Sequence, residues 1–330
     1  MPVRTWPRDP SSATLRARCE TVMGITDDER RQRIEAIAFD YGAQSVSPVS
    51  SCNLCGDERF VVLTHRDRYR FSVQAHACQG CGLVFLNPVM TADAYREFYA
   101  HVYRPLVSAY HGRLIDATTV QAEQHDYVEE RAALLEPYVE GRDYRTLLDI
   151  GGSTGVVAHA LATRFGLRGT LLDPAPAEIE KARRRGLDTF TGLIEDFDPG
   201  GEQFDIVVMC QTVDHLLDIS RALKSIHGLM RTDGVFFVDI VDFRAACLRH
   251  WSVEESVKVD HPYYLTETTM EAYLTRAGFG IVRTDYAADH LHVGYICRPR
   301  QPVSGALPSA GAVQQLFDEV RMVQNAPRPV

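Results

Sequence analysis

Four cysteines in two C-x2-C pairs constrain this chain more than any other feature. Cys52-Asn53-Leu54-Cys55 and Cys78-Gln79-Gly80-Cys81 are separated by 22 residues. A glycine follows each pair, Gly56 and Gly82, and supplies the positive φ that a tight metal knuckle needs. Four thiolates at this spacing predict one tetrahedral zinc site. With four protein ligands the metal has no open position, so its role is structural. The β-rich runs Phe60–Leu63 and Tyr69–Val73 between the pairs complete a small zinc ribbon over residues 49–90. His76 reads as a strand residue, because Cys78 already fills the ligand position nearby.

The second feature is the turn Leu147-Leu-Asp149-Ile-Gly151-Gly152-Ser153-Thr-Gly155. Its glycines let the backbone approach a ligand, and the N-terminus of the helix that follows favours an anionic group. It is not the dinucleotide fingerprint: read from Gly151, Ser153 and Val156 stand where glycines are required. From Arg145 to Arg298 strands and helices alternate. Thr146–Ile150, Thr170–Asp173, Phe204–Met209 and Val235–Ile240 are apolar runs suited to strands buried on both faces of a parallel sheet. Helical stretches lie near 155–165, 176–185, 218–230 and 266–277. Phe279–Tyr286 and Leu291–Cys297 are joined by only a few residues, which permits an antiparallel hairpin and excludes a βαβ crossover.

The rest of the chain divides around these two. Residues 1–48 form a partly helical extension, with a capped helix expected after Thr26. Residues 91–142 form a helical connector or lid, residues 143–300 the cofactor-binding domain, and 301–330 a tail with one helix near Val313–Val323. A net charge of −9 and four Lys/Arg against three acids in the zinc segment provide no electrostatic footprint for nucleic acid. No apolar run is long enough to span a membrane. The prolines at 2, 7 and 10 and the lack of an apolar h-region argue against a signal sequence, so a cytoplasmic location is expected. A homo-oligomer is compatible with the sequence.

The glycine turn resembles the first motif of class I S-adenosylmethionine (SAM) methyltransferases, D-x-G-x-G-x-G, with Ser153 at the middle glycine. The expected fold is therefore α/β: a Rossmann-like seven-stranded SAM methyltransferase sheet with a small N-terminal zinc ribbon. The resemblance implies that SAM lies against Asp149, Gly151, Gly152, Ser153 and Gly155. Asp173 would accept the ribose hydroxyls, a helix cap before Pro174 being the alternative, and Glu195-Asp196-Phe197 would border the adenine, with Asp196 or else Glu195 on its amine. Gln211 would border the methionine moiety. His215 reads as a packed histidine rather than a base.

Cys78-Gln-Gly-Cys-Gly-Leu-Val-Phe-Leu-Asn-Pro88, with Phe98-Tyr99 and Tyr103, resembles the zinc domain of the sugar C-methyltransferases, which act on nucleotide-linked deoxysugars in antibiotic pathways. The resemblance covers roughly residues 50–300. It makes His261, in Asp260-His261-Pro262-Tyr263-Tyr264, the catalytic base, with Tyr264 and His292 beside the acceptor together with Tyr263, Tyr103 and Tyr110. A structural histidine next to Pro262 is the equal alternative. The sequence departs from that group at Lys258, where the group has tyrosine, and it lacks the group's further C-terminal domain. The expected acceptor is a small molecule, a nucleotide-linked sugar or another secondary metabolite, methylated on O, N or C. An RNA base methyltransferase with a zinc module and a non-catalytic SAM-fold scaffold are the rival readings.

Overall fold

The computed structural model describes residues 25–325. Residues 1–24 of the expected extension, with Cys19, and residues 326–330 of the tail lie outside that range. The first helix among the described residues, α1 (Asp27–Glu35), starts where expected: Thr26 and Glu29 cap each other's backbone N–H groups reciprocally.

The cysteine module follows with β1 (Val46–Ser47), β2 (Phe60–Thr64), β3 (Ala75–Cys78), β4 (Val84–Leu86) and β5 (Val89–Met90). Strands β2, β3 and β4 form antiparallel pairs, and His76 is a strand residue in β3, as its position suggested. The run Tyr69–Val73, read as β-rich, is not a strand. The fully buried Asp67 organises it instead, its Oδ1 accepting from the backbone N–H of Tyr69 at 3.1 Å and Phe71 at 3.0 Å. Helices α2 (Ala92–His101), α3 (Tyr103–His111) and α4 (Ala117–Val139) make the connector.

The cofactor-type domain runs through β6 (Thr146–Ile150), α5 (Val156–Phe165), β7 (Arg168–Asp173), α6 (Pro176–Arg184), β8 (Asp188–Thr191), β9 (Phe204–Met209), α7 (Ile219–Leu229) and β10 (Met230–Val241). It continues with α8 (Phe243–His250), β11 (Tyr263–Tyr264), α9 (Glu267–Ala277), β12 (Phe279–Tyr286) and β13 (His292–Pro299), and α10 (Ala310–Asn325) follows it. Seven strands lie in the order β12-β13-β10-β9-β6-β7-β8. Neighbours are parallel from β8 to β10, and β13 is antiparallel to both β10 and β12. The fold class is the expected seven-stranded α/β sheet.

The cysteine module is built into this domain in two ways. Cys52, Leu54, Cys78, Cys81, Leu83 and Phe85 belong to the same buried cluster as Leu148, Ile150, Val207 and Phe236 of the large sheet. Burying a side chain such as Leu54, only 1% exposed, contributes about 1.5–3 kcal/mol. In addition, β11 pairs antiparallel with β4, so the module's sheet reads β11-β4-β3-β2 and takes its outer strand from far downstream. The knuckle residue Asn53 completes the junction. Its amide donates to Asp218 at 2.8 Å, and its Oδ1 accepts from Ser220 N at 3.2 Å and Tyr273 OH at 2.9 Å.

Candidate active site

Gly56 and Gly82 both adopt left-handed φ, 78° and 77°, and fold the two knuckles back on their cysteines. This brings the four sulfurs within 4.8 Å of one another, with Cys52–Cys81 and Cys55–Cys78 Sγ pairs at 3.5 Å. A tetrahedron with ~2.3 Å metal–sulfur bonds has edges of about 3.8 Å. The quartet therefore fits a four-thiolate zinc ion after a small outward movement of each sulfur.

At the end of β6 the glycine turn leads into α5. Gly151 and Gly155 have φ of 72° and 74°, and Ser153 at the middle position adopts 53°, a left-handed conformation uncommon outside glycine. A Cβ on Gly152 would stand 2.3 Å from Asp149 Oδ2, and one on Gly151 would stand 2.4 Å from Thr212 Cγ2. Only glycine fits at either place. Asp149 is 1% exposed, and neither of its carboxylate oxygens has a partner in good hydrogen-bond geometry, the Ala158 N–H giving it only a weak contact; Ser153 Oγ and Thr154 Oγ1 are likewise buried and unpaired. Burial, reinforced by Asp173, raises the Asp149 carboxyl to about 7. Unpaired buried groups of this kind cost free energy, and a polar cofactor lying on the loop would satisfy them. The residues fit SAM.

Asp173 ends β7, buried, its Oδ2 accepting from Ser153 N at 2.9 Å and Oδ1 from Ala175 N at 2.8 Å. Each oxygen retains acceptor capacity for a hydroxyl. Glu195 and Asp196 lie on a 3-10 turn, Ile194–Asp196, where Glu195 is half-buried and Asp196 is exposed. Phe197 packs edge-on against Phe190 at 5.2 Å. Gln211 is exposed, in left-handed conformation at φ 50°, and its N–H donates to Asp239 Oδ1 at 2.6 Å. The other oxygen of Asp239 pairs with the buried Arg131 of α4 at 2.6 Å, tying the connector to the sheet beside the cofactor turn.

The loops after β9 and before β11 meet in a buried cluster. His261 Nδ1 lies 2.7 Å from Asp214 Oδ2, and its Nε2 lies 3.2 Å from Asp260 Oδ2. The His215 ring stands edge-on to His261 at 4.4 Å, its Nδ1 within 2.6 Å of the Tyr99 hydroxyl. Burial is the largest influence and disfavours a charged His261, but Asp214 and Asp260 together outweigh it and the imidazole titrates above its ordinary range. Burial likewise pushes Asp214 and Asp260 up, yet the His261 charge holds both well below the usual carboxylate range. Burial, followed by repulsion from His261, lowers His215 to about 4 and keeps it neutral. Lys258, where the resembled group has tyrosine, is pushed down by burial, against the pull of Asp260.

The other expected acceptor-side residues are dispersed. Tyr264 stacks on His261 at 6.2 Å, but its hydroxyl bonds the backbone N–H and carbonyl of Lys258. His292 pairs with Asp289 at 2.6 Å on the β12–β13 turn, apart from the His261 cluster. Tyr103 packs against Tyr99 at 5.2 Å, whereas Tyr110 is flanked by Arg30 and Arg68. Sequence reasoning passed over Asp214, Tyr99 and the pairing role of Asp260. The Asp-His dipeptide occurs at 214–215, 260–261 and 289–290, and only the first two belong to the cluster, so the dipeptide alone did not mark it.

A seven-stranded α/β sheet with a glycine turn after its first strand and an acid at the end of the second defines a SAM-dependent methyltransferase domain. The chain belongs to the methyltransferase domain family, whose pattern matches residues 120–284, half of its 330 residues. Among curated relatives, it is similar to a ubiquinone biosynthesis O-methyltransferase from Methylobacterium sp. (strain 4-46), 35% identical over 103 residues. That match covers 29% of this chain and 41% of the relative. A ubiquinone biosynthesis O-methyltransferase from Azorhizobium caulinodans is 26% identical over 40% of this chain and 58% of its own length. The chain thus spans between about two-fifths and three-fifths of these two relatives. Among solved structures it is similar to a SAM-dependent methyltransferase from Clostridium acetobutylicum, at 15% identity and a TM-score of 0.44 over 62% of this chain and 99% of that one.

Proposed function

We propose that the protein transfers the methyl group of SAM to a small-molecule acceptor, with a hydroxyl of a sugar or another secondary metabolite as the preferred target. Bound SAM supplies an already activated methyl group. The protein's own residues must hold the acceptor in line at ~3–3.5 Å and take up its proton. The observation carrying this reading is the Asp214–His261–Asp260 cluster, buried between two loops of the cofactor domain. Asp214 accepts from Nδ1–H of His261, and both carboxylates favour the imidazolium. The ring acts as a base from its deprotonated form, in which Nε2, beside Asp260, is the end that receives the proton. His215, neutral and fixed through Nδ1, borders the same space. The relatives named as O-methyltransferases support an oxygen acceptor, and the resemblance to the sugar methyltransferases supports a nucleotide-linked sugar. The four cysteines hold a structural zinc.

The test uses methyl-labelled SAM with a panel of nucleotide-linked deoxysugars and phenolic hydroxy compounds, and mass spectrometry to detect the labelled product. With an accepted compound, His261→Gln lowers turnover ~10²–10⁴-fold and leaves SAM affinity unchanged. Near-normal turnover in that variant would remove His261 from the mechanism.

A further inference from the structure

Residues 257–261 lead into the candidate base, yet they lie outside any helix or strand. Side chains from three directions hold their backbone. From the cysteine module, Asp67 Oδ2 accepts from Val259 N at 2.9 Å, and Arg68 N donates to the Val257 carbonyl at 2.9 Å. From α2, Tyr95 OH donates to the Val259 carbonyl at 3.2 Å and Tyr99 OH to the Asp260 carbonyl at 2.8 Å. From β11, Tyr264 OH accepts from Lys258 N at 2.7 Å.

Asp67 is the unusual member. It is 0% exposed and, among the described residues, has no ion-pair partner. Burial pushes its carboxyl well above the usual range, against the three N–H groups that bond it. Its own turn requires only Oδ1, which takes both Tyr69 N and Phe71 N. Oδ2 is the atom that crosses to the loop.

We propose that Asp67 is a positioning residue for methyl transfer: through Val259 it fixes the Asp260–His261 segment against Asp214, so the cysteine module sets the geometry of the proton acceptor. This rests on the reading of His261 as that acceptor. The groups facing His261 are Asp214 and His215 from the loop after β9, Lys258 and Asp260 from its own loop, and Tyr264 from β11.

Asp67→Asn isolates the link. An amide has one acceptor oxygen. If that oxygen stays with Tyr69 and Phe71, the NH2 group meets the Val259 N–H and the crossing bond is lost. The full-length variant is examined with S-adenosylhomocysteine bound, by amide hydrogen exchange and NMR titration of His261. Exchange at Val259 and His261 is expected to rise on the order of 10- to 100-fold, and the His261 titration to fall toward the ordinary histidine value, with zinc content and ligand affinity unchanged. Unchanged exchange and titration with zinc retained would overturn the proposal. If Asp67→Asn loses zinc, Tyr95→Phe releases the other side of Val259 with little change in volume. It should move both observables in the same direction, and no movement there would equally overturn the proposal. His261→Gln separates the two readings. Retained turnover in that variant, with His261 still responding to Asp67 in the titration, would reject the base assignment. An inactive His261→Gln with a titration indifferent to Asp67 would reject the positioning role.

Discussion

Asp67 and Asp149 are both buried carboxylates displaced upward in pKa by burial, one in the cysteine module and one beneath the glycine turn. Asp67 accepts three backbone N–H bonds, whereas Asp149 has only a weak contact from the Ala158 N–H and no well-formed hydrogen bond on either oxygen. The difference separates scaffold from site. A carboxylate whose bonds are all internal stabilises one backbone arrangement. A carboxylate left unpaired destabilises its surroundings until a ligand satisfies it. The cysteine module resembles the first throughout, since its knuckle residue Asn53 is bonded to two helices of the larger domain. The glycine turn resembles the second, with Ser153 Oγ and Thr154 Oγ1 also unpaired.

The contrast can be broken most forcefully at the metal. Cys78→Ser should abolish stoichiometric zinc by elemental analysis and destabilise the whole fold by several kcal/mol, because the module and the sheet share one core. Unfolding of the sheet at its normal denaturant midpoint without zinc would show that the two regions are independent. Next in size is Arg131→Ala, which removes the guanidinium from the buried Asp239 and should cost on the order of 3–5 kcal/mol by denaturant titration. A loss below about 1 kcal/mol would mean that the remaining bonds of Asp239 satisfy that carboxylate. If Asp173 accepts the ribose hydroxyls as proposed, Asp173→Ala should weaken SAM by on the order of 1–3 kcal/mol in calorimetry, with little effect on zinc.

The smallest effect depends on pH. The folded Asp149 carboxyl, near 7, lies above its unfolded value of about 4. Its contribution is therefore fully present below pH ~4 and declines as pH rises toward ~7, because over that window only the folded state retains the proton. Asp149→Asn should flatten this slope and leave the cofactor-free protein more stable than wild type at pH 8, by on the order of 1 kcal/mol. In wild type, the thermal shift produced by SAM should be larger at pH 8 than at pH 6. Parallel pH profiles for variant and wild type would mean that Asp149 is satisfied by other means.

Much of this was legible because glycine and cysteine report backbone geometry directly. Gly56, Gly82, Gly151 and Gly155 all adopt the left-handed φ that their positions implied. The main strands announced themselves as apolar runs. The edge strand β8, Asp188-Thr-Phe-Thr191, did not, because none of its residues is buried. The run Tyr69–Val73 has strand composition, but Asp67 bonds it locally as a turn, and one buried carboxylate outweighs β propensity. The Asp214–His261–Asp260 cluster was half visible. His261 was singled out by the family resemblance, while Asp214 and Tyr99 come from 47 and 162 residues earlier in the chain, the differences 261 − 214 and 261 − 99. No local pattern carries such a contact.

The borrowed strand β11 has a consequence for synthesis. The cysteine knuckles leave the ribosome early, but Tyr263 and Tyr264, which pair with Val84 and Phe85, follow roughly 180 residues later. At about 5–20 residues per second the nascent knuckles wait roughly 10–40 s for their outer strand. During that interval β4, Val84-Phe85-Leu86, has β3 on one side only, and its other edge is apolar and open to mispairing with other nascent chains. Metal capture in that window would order the two knuckles before the edge is covered. Expression in zinc-depleted cells should therefore lower the soluble yield through aggregation during translation, beyond the loss of stability measured on the finished protein.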